Sequence, residues 1–424
     1  MECMIRCSAL RWYAATAFVA SVAACSPAAA PGPAFGPALT LAEEGGTNPT
    51  VAVDPVAGGV VLAWVGESDG RADVYFARIP AGGEAGSPVR VNDVPGDAAP
   101  HEQAPAQVGV GPEGNIYVVW QNNTPIEGRR FPASDLRFAR STDGGRTFEP
   151  AITVNDDAGG LPASHTFHDL AVAADGTIYI SWIDSRERAR MEAEANGSAG
   201  DGLPGPEIRI ARSDDGGRSF GPSVVVDRDS CPCCRTALAV GPDGAVYVAW
   251  RKVHEGNVRD IVVARSEDGG RTFGPPVRVH ADDWVLDGCP HAGPSIDVDA
   301  AGRLHVAWYT GREGRQGVYY AVSEDGGRSF GPPVALVEGE WVPISLVRLA
   351  VDPRGGVWFA WDDRRGETRT VQLAYAAEGG RPRPVDAVPV PGGAPVVAVQ
   401  GNTRVVAWLD GESIRARTAF GDAP

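Results

Sequence analysis

The chain has 424 residues, a formal net charge of −16 and 43 % hydrophobic residues, among them 11 tryptophans. That hydrophobic content excludes a disordered chain. An acidic balance with no Lys/Arg-rich stripe excludes a protein built to grip a nucleic-acid backbone. Glycine and proline together make about 21 % of the residues, which favours a turn-rich β protein over a helical one.

Residues 1–25 read as an address. Arg6 and Arg11 give a positive start, Ala14 to Ala24 a short apolar run, and Val22-Ala23-Ala24-Cys25 resembles a bacterial lipobox with Cys25 as the lipidated residue. The run is too short to span a bilayer comfortably. Ser26 in the next position resembles lipoproteins sent to the outer membrane. An ordinary secretory signal cut near Ala30 is the alternative. Residues 26–37 are rich in Pro and Ala and read as a semi-rigid tether. The expectation is an exported protein held to the bacterial envelope by its lipid.

From residue 38 to 420 one pattern recurs: an apolar strand, a Gly-containing turn, and a strand ending in Trp. The seven tryptophans are Trp64, Trp120, Trp182, Trp250, Trp308, Trp361 and Trp408, spaced by 56, 62, 68, 58, 53 and 47 residues. After each comes a polar loop, a third strand such as DLRFARS or EIRIARS, and in most repeats a tight turn and a short fourth strand. Period-two alternation marks strands, and no segment carries a sustained helical period. Seven such units predict an all-β fold, a seven-bladed β-propeller of four-stranded antiparallel sheets. The seventh repeat lacks its fourth strand, and residues 38–42 (ALTLA) are placed to supply it and close the ring. Radial closure protects the strand edges, and a monomer is expected. Residues 421–424 are a short tail, and 188–205 read as a polar insertion, a mobile loop over one rim.

Four turns between third and fourth strands share the pattern S-x-D-G-G-R-T/S-F, with aspartates Asp143, Asp215, Asp268 and Asp325. They resemble the Asp-box, or BNR repeat, of the sialidase superfamily. Physically the turn is a hairpin lock: Asp accepts backbone N–H bonds, Gly supplies positive φ, and the aromatic packs inward. The resemblance implies that these turns lie away from any active site, so they carry no chemistry. It also implies glycan-directed activity, either an exo-α-sialidase-like glycoside hydrolase or a carbohydrate binder. Enzymes of that superfamily usually have six blades, which keeps a six-bladed ring as the alternative count. They use three arginines on the substrate carboxylate, a Tyr–Glu pair and an Asp. Here repeat 1 opens Thr47-Asn-Pro-Thr without an arginine, and Arg78-Ile79-Pro80 ends a third strand, the wrong place. The catalytic set does not match, and no catalytic residue is assigned.

A glycan or carboxylate ligand would meet the loops that follow the tryptophan strands, where Arg186, Arg251, Arg312 and Arg364 stand, together with Arg235. Each has a plainer reading as a salt-bridged surface residue. The loops before the first strands are more unusual. Alignment on the Gly turn puts His165, Cys233 and His291 at one register and His101, Cys231 and Cys289 two residues earlier, with His168 and Cys234 beside them. Two readings stand. Four cysteines in an exported chain can form two disulfides, with Cys289 joined to Cys231 or Cys233. Alternatively, thiolates and imidazoles converging on a channel mouth suit copper or zinc. A protein-interaction platform is a third functional class.

Overall fold

The computed structural model describes residues 35–129, 131–194, 205–385 and 390–421. The leader with Cys25, the tether up to residue 34, residues 195–204 of the polar insertion and residues 422–424 of the tail lie outside the described residues. What is described forms seven antiparallel sheets, one per sequence repeat, each numbered here as a blade. The seven-bladed count holds, and the six-bladed alternative is excluded.

Each blade starts with an inner strand facing the central channel, such as Thr50–Val53 in blade 1 and Ala237–Val240 in blade 4. The second strands carry the repeated tryptophans, for example Val60–Ser68 and Val246–His254. Their side chains alternate between the two faces of the blade, and both faces are covered by neighbouring blades. Hence these strands read as unbroken apolar runs. In blade 1, Val60, Leu62 and Trp64 pack toward blade 7, while Val61, Ala63 and Val65 pack toward blade 2. Every repeated tryptophan packs into the layer shared with the preceding blade. The core is therefore seven thin layers between blades.

Ring closure follows the sequence expectation. Leu39–Ala42 pairs antiparallel with Ser413–Ala419, Leu39 opposite Ala416 and Thr40 opposite Arg415. Contacts begin slightly earlier: Phe35 meets Trp358 edge-on at 5.8 Å, and the Gly36 amide donates to the Thr418 carbonyl at 2.9 Å.

The four Ser–Asp turns share one hydrogen-bond scheme. In blade 2, Ser141 Oγ donates to Asp143 Oδ1 at 2.8 Å and accepts from the Gly145 amide at 2.9 Å. Thr147 Oγ1 donates to Asp143 Oδ2 at 2.7 Å. Blades 3, 4 and 5 repeat it around Asp215, Asp268 and Asp325. The aromatic ending the turn leans on the preceding blade: Phe148 on Phe76 at 5.4 Å and Phe220 on Phe138 at 5.0 Å, each pair worth about 1 kcal/mol beyond its burial. These carboxylates are satisfied within their own turns.

One element departs from the sequence reading. The polar insertion begins with a helix, Arg186–Glu194. Its ion pairs Arg188–Glu192, Arg190–Glu187 and Arg190–Glu194 lie three or four residues apart, the spacing that stabilises a solvated helix without an apolar stripe. Only Ala189 is buried. A periodicity search for apolar residues has nothing to find there.

Candidate functional site: a sulfur-lined channel mouth

Loops that enter the inner strands and loops that follow the tryptophan strands share one face of the ring. Loops from blades 2, 4 and 5 converge on it. In blade 4 the inner strand starts only at Ala237, so residues 231–236 remain a loop lying over the mouth. The loop is pinned at both ends: the Cys231 amide donates to the Arg251 carbonyl at 2.8 Å, and the Thr236 amide to the Phe167 carbonyl at 3.0 Å. Between these points the chain turns back on itself and gathers three buried sulfurs. Cys231 Sγ lies 3.2 Å from Cys234 Sγ and 3.7 Å from Cys233 Sγ, and Arg259 Nη1 donates to Cys231 Sγ at 3.3 Å. Cys231 is the thiol most disposed to ionise: its contacts with Cys233 and Cys234, a backbone hydrogen bond and the positive potential of Arg251 bring it below the usual thiol range, and burial opposes this.

A second group touches the first. Cys233, Cys289 and His291 each bring one ligand atom within 4.8 Å of the others, as do Cys231, Cys233 and Cys234. Cys289 and His291 are exposed. His291 sits in the left-handed region at φ 49°, a conformation that costs about 1 kcal/mol or more and persists where the surroundings dictate it. Gly293 lets the two loops approach: a Cβ there would lie 2.4 Å from the Arg235 carbonyl oxygen. The four thiols are unbridged in this structure.

His101 reaches this group only partly. Its ring lies 6.0 Å from that of His291 and 5.0 Å from that of Phe167. Its Nδ1 accepts the Gln103 amide at 3.1 Å, which places the ring proton on Nε2, and it is in neither group of candidate ligands. Burial, then the nearby His291, holds its pKa below the usual value.

His165 and His168 do not join the cysteines in either cluster, a correction to the register argument. Blade 3 starts its inner strand at His165 itself, with a bulge between Thr166 and Asp169 and Phe167 at φ 56°. The bulge puts the Phe167 ring, not the histidine, against the cysteine loop. His165 stays in the sheet, its Nδ1 2.6 Å from the Ser134 carbonyl and its Nε2 3.1 Å from Asp157. Burial pushes its pKa down, but the Asp157 and Asp184 carboxylates outweigh burial and raise it. His168 is fully buried, and burial pushes its pKa to about 4.

The candidate arginines are mostly occupied. Arg251 is wholly buried and donates to the carbonyls of Ala292, Arg259 and Tyr309 at 2.6–3.1 Å, with its guanidinium 5.0 Å from the Trp284 ring centre. Arg235 is buried and donates to the Val347 carbonyl at 3.0 Å. Arg186 pairs with Asp184, Asp156 and Asp157. Arg364 pairs with Asp362 at 2.6 Å and, beside Arg369, with Glu102 at 3.1 Å. Glu102 thus crosses from the blade 2 loop to blade 6. Arg312 alone of the five has no side-chain hydrogen bond or ion pair among the described residues. Glu102 and Arg259 gave no sequence signal of their own, since a carboxylate beside His101 is ordinary loop chemistry and Arg259 stands in a strand of ordinary pattern.

No protein-family model matches the chain, and no curated protein is detectably similar. Solved structures are. An ulvan lyase, a polysaccharide lyase, is 13 % identical over 89 % of this chain and 94 % of its own, with a TM-score of 0.57. The α-L-arabinanase of Penicillium chrysogenum is 14 % identical over 92 % and 99 %, with a TM-score of 0.50. The NanB sialidase of Streptococcus pneumoniae is 9 % identical over 90 % and 94 %, also at 0.50. The fold is that of a sialidase-like β-propeller. All three neighbours are named for activity on glycans, and at these identities the shared property is the fold.

Proposed function

We propose that this is an exported propeller, anchored to the outer membrane through a lipid on Cys25, that binds copper or zinc at the mouth of its channel. The observation that carries this reading is the convergence of four unbridged thiols and an imidazole in two groups of three that share Cys233, the ligand atoms of each group lying within 4.8 Å of one another. Four of the five arginines that a carboxylate-binding site could use, Arg186, Arg235, Arg251 and Arg364, are instead satisfied by backbone carbonyls and carboxylates of the chain itself. Metal analysis of protein extracted from the cell envelope tests it. About one or more copper or zinc ions per chain are expected, lost in Cys233→Ser, which belongs to both clusters. Metal-free wild-type protein with all its thiols titratable overturns it.

Glycan recognition is the second reading, supported by the fold neighbours and by two groups on the same face. Arg312 has no side-chain partner among the described residues, and Trp341 is 64 % exposed on the next loop, which is tied to blade 5 by the Val342 amide donating to Gln316 Oε1 at 3.2 Å. Titration with acidic oligosaccharides against wild type and Trp341→Ala tests this separately; binding unaffected by the substitution removes it.

A further inference from the structure

We propose that a cuprous ion enters at Cys289 and His291 and passes through Cys233 to the buried trio Cys231, Cys233 and Cys234. This rests on the metal-binding reading above and adds an ion, an order and a resting place.

Three observations lead to it. The two clusters share Cys233, so an ion moving between them keeps one sulfur throughout and never becomes free. They differ in exposure: Cys289 and His291 face solvent, whereas all three sulfurs of the trio are buried. The donor count also differs from what zinc asks. Structural zinc takes four ligands. The trio offers three sulfurs, and among the described residues no further His, Cys, Asp or Glu joins it. Copper(I) is soft and is satisfied by two or three thiolates. Arg259, donating to Cys231 Sγ at 3.3 Å, partly offsets the negative charge that three thiolates leave around a monovalent ion.

The transfer is ligand substitution with no change of oxidation state. Copper first bonds to the sulfurs of Cys289 and Cys233 and to the His291 nitrogen, and each thiol gives its proton to water. Bonds to Cys231 and Cys234 then form as their protons leave, and the bonds to Cys289 and His291 break. Cys289 recovers a proton from water, and the imidazole of His291 is released unchanged. The left-handed backbone at His291 holds its side chain at the entry without a supporting sheet.

The experiment presents reduced full-length protein, without oxygen, with copper(I) as its bicinchoninate complex. Uptake is followed by the loss of chelator colour, and the final copper per chain and its resistance to excess chelator are then measured. Cys289→Ser combined with His291→Ala is expected to load about tenfold more slowly or worse, yet reach the wild-type end point. Cys234→Ser is expected to load at the wild-type rate and surrender its copper to chelator. Copper-edge X-ray absorption of loaded wild type, which needs no substitution, should read sulfur alone around the ion. An unchanged loading rate in the double variant, loss of retained copper from it, or nitrogen in the wild-type copper shell overturns the proposal. Zinc bound but no copper overturns this step and leaves the metal-binding reading standing; neither metal bound overturns both.

Discussion

Single residues in this ring do jobs that their sequence neighbours do not announce. Asp215 is one whose job is measurable. Burial pushes its pKa up, but the hydroxyls of Ser219 and Ser213 and the amides of Ser219 and Arg218 outweigh burial and bring it down from 3.8 to about 2. A carboxylate depressed by folding contributes stability above its unfolded pKa, and that contribution fades as pH falls from about 4 to about 2. Asp215→Ala should therefore cost about 1 kcal/mol at pH 7, through lost hydrogen bonds. It should also flatten the acid dependence of unfolding relative to wild type. Thermal scans at pH 7 and near the lower end of that window read both effects. Parallel acid profiles for the two proteins would contradict the role given to this carboxylate. Arg251 makes the complementary point. An arginine following a tryptophan strand looks like a ligand-binding cation, and only its surroundings, three backbone carbonyls and the Trp284 ring, reveal a structural brace.

At the scale of elements, the sequence was most legible where one period repeats. The tryptophan strands and Ser–Asp turns fall where they were expected because each is fixed by local chemistry, namely alternation and a hydrogen-bonded turn. Register inside the entrance loops was not legible. Counting back from the Gly turn assumes that every inner strand starts at the same place. The bulge at Phe167 and the early strand start at His165 break that assumption in blade 3 while leaving blades 4 and 5 as counted. A bulge depends on what the neighbouring loop offers, here the Thr236 amide reaching the Phe167 carbonyl. The Ser–Asp turn also predicts its own failure. Gly145 has φ 88°, and a Cβ there would lie 2.1 Å from Phe76 Cε1 of the preceding blade. Gly145→Ala must both strain the turn and push blades 1 and 2 apart, at a cost of about 3 kcal/mol. A chemical-denaturation midpoint unchanged from wild type would show that the turn is not a lock between blades.

The whole molecule adds a property that no blade has. Seven sheets in a ring protect one another only if the ring shuts, and here Leu39–Ala42 completes the sheet of Val396 and Trp408 by pairing with Ser413–Ala419. The missing fourth strand of repeat 7 made this legible from sequence. The cysteines of blades 4 and 5 were legible at the mouth, but the rest of its filling was not, because it depends on residues far apart in the chain, such as Glu102 meeting Arg364 and Arg235 meeting Val347. A chain beginning at Glu43 tests closure directly. It removes buried Leu41 and half-buried Leu39, worth about 1.5–3 kcal/mol for each fully buried leucine. It also removes the Phe35 contact with Trp358 and bares the backbone donors and acceptors of Ser413–Ala419. The exposed edge is a template for pairing with another chain. The truncated protein should melt at a lower temperature and elute as oligomers or aggregates, while a chain beginning at Phe35 behaves as wild type. Because each interblade layer is shared by two neighbours, opening one edge loosens blade 7 against both blade 1 and blade 6. The loss should then show as a second, earlier unfolding transition confined to that end of the ring. Should the shortened chain stay monomeric with an unchanged melting temperature, the strand would be an accessory to a ring that the other blades already hold shut.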